Sequence, residues 1–242
     1  MNSATLSYRI YPLGDAAITI EFGTAINAAI NKEVVTRFQQ LLQNPFQGMI
    51  EIIPAYSTLT ICYDIVKVRK KYPVGTSAFE IVKNIVEEKL QQPVPHFKAV
   101  ERLIKIPVCY DDEFAADLQN LSVAKNISKE AIVKIHTSKN YKVYMLGFLP
   151  GFAYMGEVDE QITMPRKIQP APISAGSVGI AGVQTGIYPF ASPGGWQIIG
   201  RTPLKLFNAD REEPAQLRAG DYVQFYSISK EDYTKQENDS LF

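Results

Sequence analysis

The chain has 242 residues, of which 46% are hydrophobic, and its 25 basic side chains equal its 25 acidic ones in number. This length suits two domains. A net charge of zero argues against proteins that bind nucleic acids or membrane surfaces through a basic excess. The histidines and cysteines, two of each, argue against a metal site with the usual nitrogen and sulfur ligands of zinc.

The first part of the chain alternates between strand and helix patterns. In AITIEF, apolar and polar side chains fall on opposite faces, which predicts a half-buried strand. A helix should follow and end before Asn44-Pro45, because a residue preceding proline disfavours helical geometry. Its apolar positions are Ile26, Ile30, Val34, Phe38, Leu41 and Leu42.

Two further strands are predicted on either side of Pro54, and a second helix begins at Ser77, three residues before Glu80, as in a capping box. The basic run KVRKK at 67–71 is interpreted as a solvated strand end. The order strand, strand, helix, strand, strand, helix predicts an α+β domain, an antiparallel sheet with two helices on one face.

Pro93 and Pro95 predict a linker between an N-terminal domain at 1–92 and a second domain at 96–230. After a strand at 102–110 and short helices at 115–123 and 128–137, the chain consists of short apolar runs interrupted by glycine and proline. This pattern predicts an all-β barrel domain. Residues 231–242 are expected to form a frayed polar tail.

Several common sites are missing from the sequence. There is no P-loop for ATP, no G-x-S-x-G nucleophile motif and no Met-Lys-Met biotin attachment site. No apolar run has the length of a membrane span, and the N-terminus lacks the basic start and apolar core of a signal peptide. We therefore expect a cytoplasmic protein whose two cysteines are free thiols.

Four residues or loops before position 178 could carry chemistry. His136 lies on the apolar stripe of its helix, either as a satisfied half-buried side chain or as a proton carrier. Gly151, before Phe152, could let backbone N–H groups approach a ligand, although core packing is the simpler interpretation for Phe152. Arg166 lies among prolines, either solvated or as a rigid fork for a carboxylate or phosphate. Ser177 could bind an anion through its hydroxyl or N–H.

The stretch from 179 to 207 holds six of the fifteen glycines and the single tryptophan. If its short strands converge, its polar and aromatic side chains suit a small acidic ligand. Alternatively, the aromatic rings belong to the core and the arginine pairs with an internal carboxylate. Spacing does not decide between these interpretations. The residues concerned are Gln184, Thr185, Tyr188, Ser192, Trp196 and Arg201.

Four segments resemble the KipI/PxpB family, whose members are also called allophanate hydrolase subunit 1 or the C-type subunit of a carboxyltransferase. They are PLGDAAITIEF, HTSKNYKVYMLGFLPGFAYMGEV, MPRK and AGSVGIAGVQTGIYPFASPGGWQIIGRTP. The resemblance covers about residues 8–228. One departure is Pro170-Ala171, where the family typically has a second Pro-Arg pair, so a cation that the family often carries is missing.

The resemblance implies an N-terminal α+β domain followed by a cyclophilin-like β-barrel. It also implies the role of the B-type subunit in a bacterial ATP-dependent 5-oxoprolinase, which opens 5-oxo-L-proline to L-glutamate. The expected partners are a PxpC-like carboxyltransferase-type subunit and a PxpA-like subunit, with ATP bound together with a partner and no activity in the chain alone. Alternatives are a KipI-like inhibitor of a sensor histidine kinase and a carboxyltransferase component of a urea-degrading system.

In an enzyme of this kind, we expect Arg166 and Arg201 to bind a carboxylate or phosphate, His136 to carry a proton and Gln184 to contact the lactam. The remaining predicted substrate-binding residues are Gly151, Phe152, Ser177, Thr185, Tyr188, Ser192 and Trp196.

Overall fold

The computed structural model describes residues 7–72, 77–93 and 102–239. The chain divides into two compact units, Met1–Ala99 and Val100–Phe242. Pro93, the first proline of the predicted linker, is among the described residues, whereas Pro95 lies outside them. In the described ranges, no helix combines the length and apolar character needed to cross a membrane.

The first unit contains a four-stranded antiparallel sheet in the order β1-β2-β4-β3. Its elements are β1 (Arg9–Pro12), β2 (Ala17–Glu21), α1 (Ala28–Gln43), β3 (Met49–Pro54), β4 (Thr58–Tyr63), α2 (Ile65–Lys71) and α3 (Ala78–Gln91).

Most of the apolar positions predicted from the sequence form the core of this unit, but Ile26, which precedes α1, and Leu42 are 41% and 51% exposed. Ile18 and Ile20 of β2 pack in one buried cluster with Leu59 and Ile61 of β4, and the apolar stripes of α1 and α3 belong to the same cluster. Local capping fixes where the helices begin. Asn27 Oδ1 accepts hydrogen bonds from the first turn of α1, and the Ser77 hydroxyl accepts one from the Glu80 N–H at 3.1 Å.

Both predicted helices are present as α1 and α3, but the interpretation of the basic run as a strand end was wrong, and this unit has a third helix. Residues 65–71 form α2, in which the Asp64 carboxylate accepts a hydrogen bond from the Lys67 N–H at 2.9 Å and Val68 is fully buried. The basic side chains occupy the last turn of α2, where the helix dipole favours positive charge. A seven-residue helix with one buried side chain gives too short a pattern for periodicity to identify.

The second unit contains a closed barrel of seven strands in the order β10-β7-β6-β13-β5-β12-β9 and a separate β8-β11 pair. Its elements are β5 (Leu103–Cys109), α4 (Leu118–Lys125), α5 (Lys129–Thr137), β6 (Asn140–Leu146), β7 (Ala153–Gly156), a 3-10 turn (Glu160–Ile162), β8 (Ala171–Ile173), β9 (Ser177–Ala181), β10 (Gln184–Ile187), β11 (Ser192–Gly194), β12 (Gln197–Arg201), β13 (Tyr222–Ile228) and α6 (Lys230–Asp239).

The barrel interior is filled by side chains from its strands and is covered by helices. Ile106, Val178 and Phe225 lie in one cluster with Leu118 of α4 and Ile132 of α5. The strands pair antiparallel except for β5 and β13, which run parallel. The predicted barrel is therefore present, but this unit is not all-β, since three α-helices belong to it.

The segment expected to be a frayed polar tail forms most of α6. Among the side chains described in α6, Tyr233 is the one that is buried, and its ring lies 4.4 Å from that of Phe114. Lys230, the first residue of the same helix, forms an ion pair with Glu113. The sequence of this segment is polar because only one aromatic residue, Tyr233, packs its described part against the rest of the unit.

We expect the two units to fold independently, since their buried clusters share no residue. A fragment of residues 1–92 and one of residues 96–242 should each unfold cooperatively in urea, and the intact chain should show both transitions. If both fragments unfold without a cooperative transition, the boundary near residues 93–95 is wrong.

Candidate functional site

The outer face of β9 and β10 provides a platform for the single tryptophan. Gly179 and Gly186 lie opposite each other in the antiparallel pair. A Cβ atom on Gly186 would lie 2.9 Å from Trp196 Cζ3, and one on Gly179 would lie 3.1 Å from Trp196 Cβ. The two glycines therefore leave the space into which the indole packs against the sheet, and any larger residue would displace it.

Four aromatic rings pack together at this position, and we call them the outer cluster: Phe152, Tyr154, Tyr188 and Trp196. The Trp196 ring lies 5.4 Å from Phe152 and 5.9 Å from Tyr154, and Phe152 lies 5.1 Å from Tyr188. These are edge-on contacts of the kind that stabilise aromatic pairs. Trp196 is only 4% exposed, so the interpretation of Tyr188 and Trp196 as packing residues is correct, although their cluster is separate from the barrel core.

Arg166 covers the outer cluster from the solvent side. Its Cζ lies 5.8 Å from the centre of the Trp196 ring, within the range of a cation–π interaction. The side chain is exposed, and within the described part of the chain its guanidinium forms neither an ion pair nor a hydrogen bond. Burial raises the pKa of the Tyr154 phenol, and the charge of Arg166 opposes that shift. The guanidinium thus has its hydrogen-bond donors available for an anion.

The turn before Phe152 adds an exposed ring to the same surface. Phe148 has a φ of 65°, is 63% exposed and contacts Phe152 edge-on at 5.7 Å. Gly151 has a φ of 81°, and a Cβ atom there would lie 2.9 Å from Phe207 Cβ. The close approach that Gly151 allows in this structure is therefore to the neighbouring chain segment, and its approach to a ligand stays a prediction.

Arg201 lies away from this surface, at the opposite end of β12 from Trp196. Its Nε donates a hydrogen bond to the Ala175 carbonyl at 2.8 Å, and its Cζ lies 5.9 Å from the centre of the Tyr233 ring. In the described ranges it pairs with no carboxylate, so the alternative of an internal ion pair does not match the structure, and its role in binding an anion stays a prediction. The expected convergence of Arg201 with Trp196 does not occur.

His136 is fully buried inside the barrel, with both ring nitrogens in hydrogen bonds. Nδ1 lies 2.8 Å from the Tyr110 hydroxyl, and Nε2 lies 3.0 Å from the Thr185 hydroxyl. The ring stacks on Phe225 at 4.6 Å. Desolvation lowers the pKa of His136 to about 3, so the imidazole is neutral at physiological pH.

The hydrogen-bond partners determine the tautomer of His136. The Thr185 hydroxyl donates its only proton to the Gly179 carbonyl at 3.1 Å, so it must accept a hydrogen bond from His136 Nε2–H. Nδ1 is then unprotonated and accepts from the Tyr110 hydroxyl, whose pKa burial raises well above its usual value. Because both nitrogens are in hydrogen bonds, this geometry favours a structural role for His136, and the role of proton carrier expected from the sequence stays a prediction.

The remaining predicted residues are divided between the two faces of the sheet. Thr185 points into the barrel, as its hydrogen bond to His136 requires. Ser177 is buried at the start of β9, opposite Arg201 in the strand register. Gln184 begins β10 and is half-buried. Ser192 begins β11, and its hydroxyl oxygen is buried without a hydrogen-bond partner in the described part of the chain.

The structure thus brings together Arg166, Phe152, Tyr188 and Trp196 from the predicted set. It adds Tyr154 of β7, and the position of this residue two after Phe152, which precedes the strand, was an available signal. Across 7–72, 77–93 and 102–239, no three His, Cys, Asp or Glu side chains lie close enough to hold a metal ion. The resulting surface is a rigid aromatic floor below one available guanidinium, an arrangement that suits a small organic anion.

The depressed pKa of His136 makes a prediction about stability. The unfolded chain binds a proton at this histidine near pH 6.5 and the folded chain only near pH 3, so its contribution to stability is complete above pH 6.5 and is lost as the pH falls. Between about pH 7 and pH 5, urea unfolding of the natural protein should lose about 2 kcal/mol more than that of His136→Gln. Equal losses would show that His136 is not buried and neutral, because the two proteins share every other titrating group.

Comparisons with known proteins place the chain in a family. The family model for the carboxyltransferase domain, subdomain C and D, matches residues 8–217. A protein of Bacillus subtilis (strain 168), named as the B-type subunit of 5-oxoprolinase, is 46% identical over 238 residues, covering 98% of this chain and 99% of the relative. A protein of the same name from Escherichia coli O157:H7 is 36% identical, covering 90% of this chain and 94% of its own length.

The solved structure of TTHA0988 has a similar fold, with a TM-score of 0.75 and 32% sequence identity over 88% of this chain. The chain spans about two fifths of the length of that protein (40%). Because the family model covers most of the chain and the relatives match it almost from end to end, the chain belongs to the KipI/PxpB family of carboxyltransferase-domain proteins.

Proposed function

We propose that this chain is the B-type subunit of a heteromeric, ATP-dependent 5-oxoprolinase that opens 5-oxo-L-proline to L-glutamate. The observation that carries the proposal is the 46% identity, over nearly the whole of both chains, to a protein named as that subunit in Bacillus subtilis. Because that relative is named as a subunit, we expect this chain to act within a complex of several subunits. We assign as partners a PxpC-like carboxyltransferase-type subunit and a PxpA-like subunit, and we take the barrel to be cyclophilin-like.

The chemistry of the reaction supports the involvement of ATP. A lactam is a poor electrophile, and phosphoryl transfer from ATP to the lactam oxygen makes the ring carbon reactive. Water then adds to this carbon, the C–N bond breaks and the nitrogen takes up a proton, which leaves a glutamyl phosphate. A second water releases phosphate, so the products are glutamate, ADP and phosphate. The sequence has no P-loop, and we therefore place ATP at a site built largely by a partner subunit.

Within this chain, the best-placed contact for the substrate is Arg166. 5-Oxoproline carries one carboxylate beside a small ring with apolar methylene groups. The available guanidinium suits the carboxylate, and the exposed ring of Phe148 with the half-buried ring of Tyr154 suits the methylene groups. Because His136 is fully buried and its ring nitrogens are in hydrogen bonds, we assign the proton carrier to another residue of the complex.

The chain alone should not hydrolyse ATP in response to 5-oxoproline. Reconstitution with a carboxyltransferase-type subunit and an A-type subunit should produce 5-oxoproline-dependent release of ADP and glutamate. Both products can be measured in one coupled assay, with each single subunit as a control. Substantial activity of the isolated chain would contradict the proposed division of the active site.

Affinity purification of the tagged chain from its own cells tests the same proposal against the alternatives. A larger carboxyltransferase-type chain should co-purify. Recovery of a sensor histidine kinase alone would favour a kinase inhibitor, and recovery of a biotinylated chain would favour a urea-degrading system. Either result, together with an inactive reconstitution, would overturn the proposed function.

The two arginines of the sequence-based hypothesis should now behave differently. Arg166→Lys keeps the charge but loses the planar fork, and it should reduce kcat/KM for 5-oxoproline about tenfold without lowering the melting temperature. Arg201→Lys loses the Nε hydrogen bond to the Ala175 carbonyl and should cost about 1 kcal/mol of stability, or about 3 °C in melting temperature, with normal activity per folded complex.

Each variant serves as the control for the other, because both make the same chemical change in the same unit. If Arg201→Lys removed activity and Arg166→Lys did not, the substrate contact would lie at the other end of β12. In that case the outer cluster would be a packing feature only.

A further inference from the structure

The backbone on both sides of Arg166 is fixed to the segment that carries Trp196. Gln197 Nε2 donates a hydrogen bond to the Pro165 carbonyl at 2.8 Å, and the Lys167 N–H donates one to the Gly195 carbonyl at 2.7 Å. A Cβ atom on Gly195 would lie 3.3 Å from the Lys167 carbonyl oxygen, so glycine allows the two segments to approach closely. Arg166 therefore projects from a short loop that is attached at each of its neighbours.

The Lys167 side chain attaches the same loop to a second element. Its Nζ lies 2.6 Å from Asp117 Oδ2, and the two side chains are 23% and 10% exposed. Charge-assisted contacts of this length are strong when they are partly shielded from water. The pair thus connects the Arg166 loop to the residue that precedes α4.

Asp117 is in turn fixed to the strand that follows Trp196. Its Oδ2 accepts a hydrogen bond from the Ile198 N–H at 2.7 Å, and its own N–H donates one to the Ile198 carbonyl at 2.8 Å. Asp117 occupies the N-cap position of α4, yet its side chain makes no capping hydrogen bond. An aspartate at this position usually caps the helix, so its carboxylate here is directed to β12 and Lys167 instead.

The ion pair also determines the charge of the loop. Arg166 and Lys167 are adjacent cations, but Asp117 neutralises Lys167, and Arg166 has no anionic partner among the described residues. The loop therefore presents one uncompensated charge above the Trp196 ring. A single guanidinium at a fixed position matches a ligand with one carboxylate.

We propose that Lys167 and Asp117 are positioning residues, which hold Arg166 over Trp196 so that its guanidinium is ready to bind the carboxylate of the substrate. The identity of that substrate as 5-oxoproline rests on the proposed function, whereas the positioning of Arg166 does not. Holding a binding group through a supporting pair of this kind lowers the entropy lost when the ligand binds.

The single tryptophan allows the positioning to be measured on the isolated chain. Loss of the ion pair in Lys167→Met should free the Arg166 loop, expose Trp196 to water, shift its emission to longer wavelength and increase its quenching by acrylamide. Lys167→Arg should preserve the spectrum of the natural protein. The matched control is Lys129→Met, which removes the 2.6 Å pair with Asp112, a pair that contacts neither Arg166 nor Trp196.

A second variant allows the proposal to be tested even if Lys167→Met does not fold. Asp117→Asn removes the charge but keeps an oxygen that can accept from the Ile198 N–H, and it should reproduce the emission shift of Lys167→Met. If both variants fold and leave the emission and quenching of Trp196 unchanged while Arg166→Gln alters them, the positioning proposal is wrong.

The reconstituted complex provides the functional measurement. Lys167→Met should raise KM for 5-oxoproline about tenfold, with a smaller change in kcat, and it should add nothing in an Arg166→Gln background. An active complex in which Lys167→Met has the KM of the natural protein would overturn the inference and leave the proposed function intact. A complex with no 5-oxoprolinase activity would overturn the proposed function, and the fluorescence of the free chain would still decide whether Lys167 and Asp117 position Arg166.

Discussion

The pairing of β9 with β10 determines where each candidate residue can act. Side chains on a strand alternate between the two faces of a sheet, and in a closed barrel one face is the interior. Thr185 is consequently enclosed with His136, whereas its neighbour Gly186 faces outward and leaves space for Trp196. A shift of one residue in this register would place a threonine under the indole and a glycine beside the imidazole, so both environments depend on the same pairing.

Burial explains why residues with similar chemistry have different roles. His136 has lost its capacity to titrate near neutral pH because its ring is fully desolvated and both nitrogens are in hydrogen bonds. Arg201 is held by the Ala175 carbonyl, while Arg166 lies in the solvent above an aromatic floor. Arg166 combines a position above this floor with hydrogen-bond donors that are unpaired among the described residues. Of the three residues suggested for catalysis by the sequence, it is the one that we propose binds the substrate.

Features that repeat along the chain could be predicted from the sequence. The two-residue alternation of β2 and the four-residue spacing of α1 each produce a stripe of apolar residues, and both elements were located correctly. Short elements gave no such pattern: α2 and α6 each bury a single side chain, Val68 and Tyr233. Their location depends on packing partners from other parts of the chain.

The candidate site was predictable only in part, for a similar reason. Trp196 and Arg201 are five residues apart and looked like neighbours. An extended strand rises about 3.3 Å per residue, however, so five residues separate them by roughly 16 Å. Asp117 and Lys167 are far apart in sequence yet in contact, and spacing alone could not have connected them. The alternation of apolar residues within a strand could be read from the sequence, and contacts between loops could not.

The parallel pairing of β5 with β13 has a consequence for the order of events during synthesis. Leu103 lies beside Tyr222, so the ribosome makes most of the second unit before β5 can gain this neighbour. The sheet of the first unit, in contrast, is complete once β4 ends at Tyr63. Non-local strand pairs form slowly because a long loop must close first. A growing chain would therefore carry a finished N-terminal sheet together with an open barrel whose apolar strands still require shielding from aggregation, for which chaperones exist.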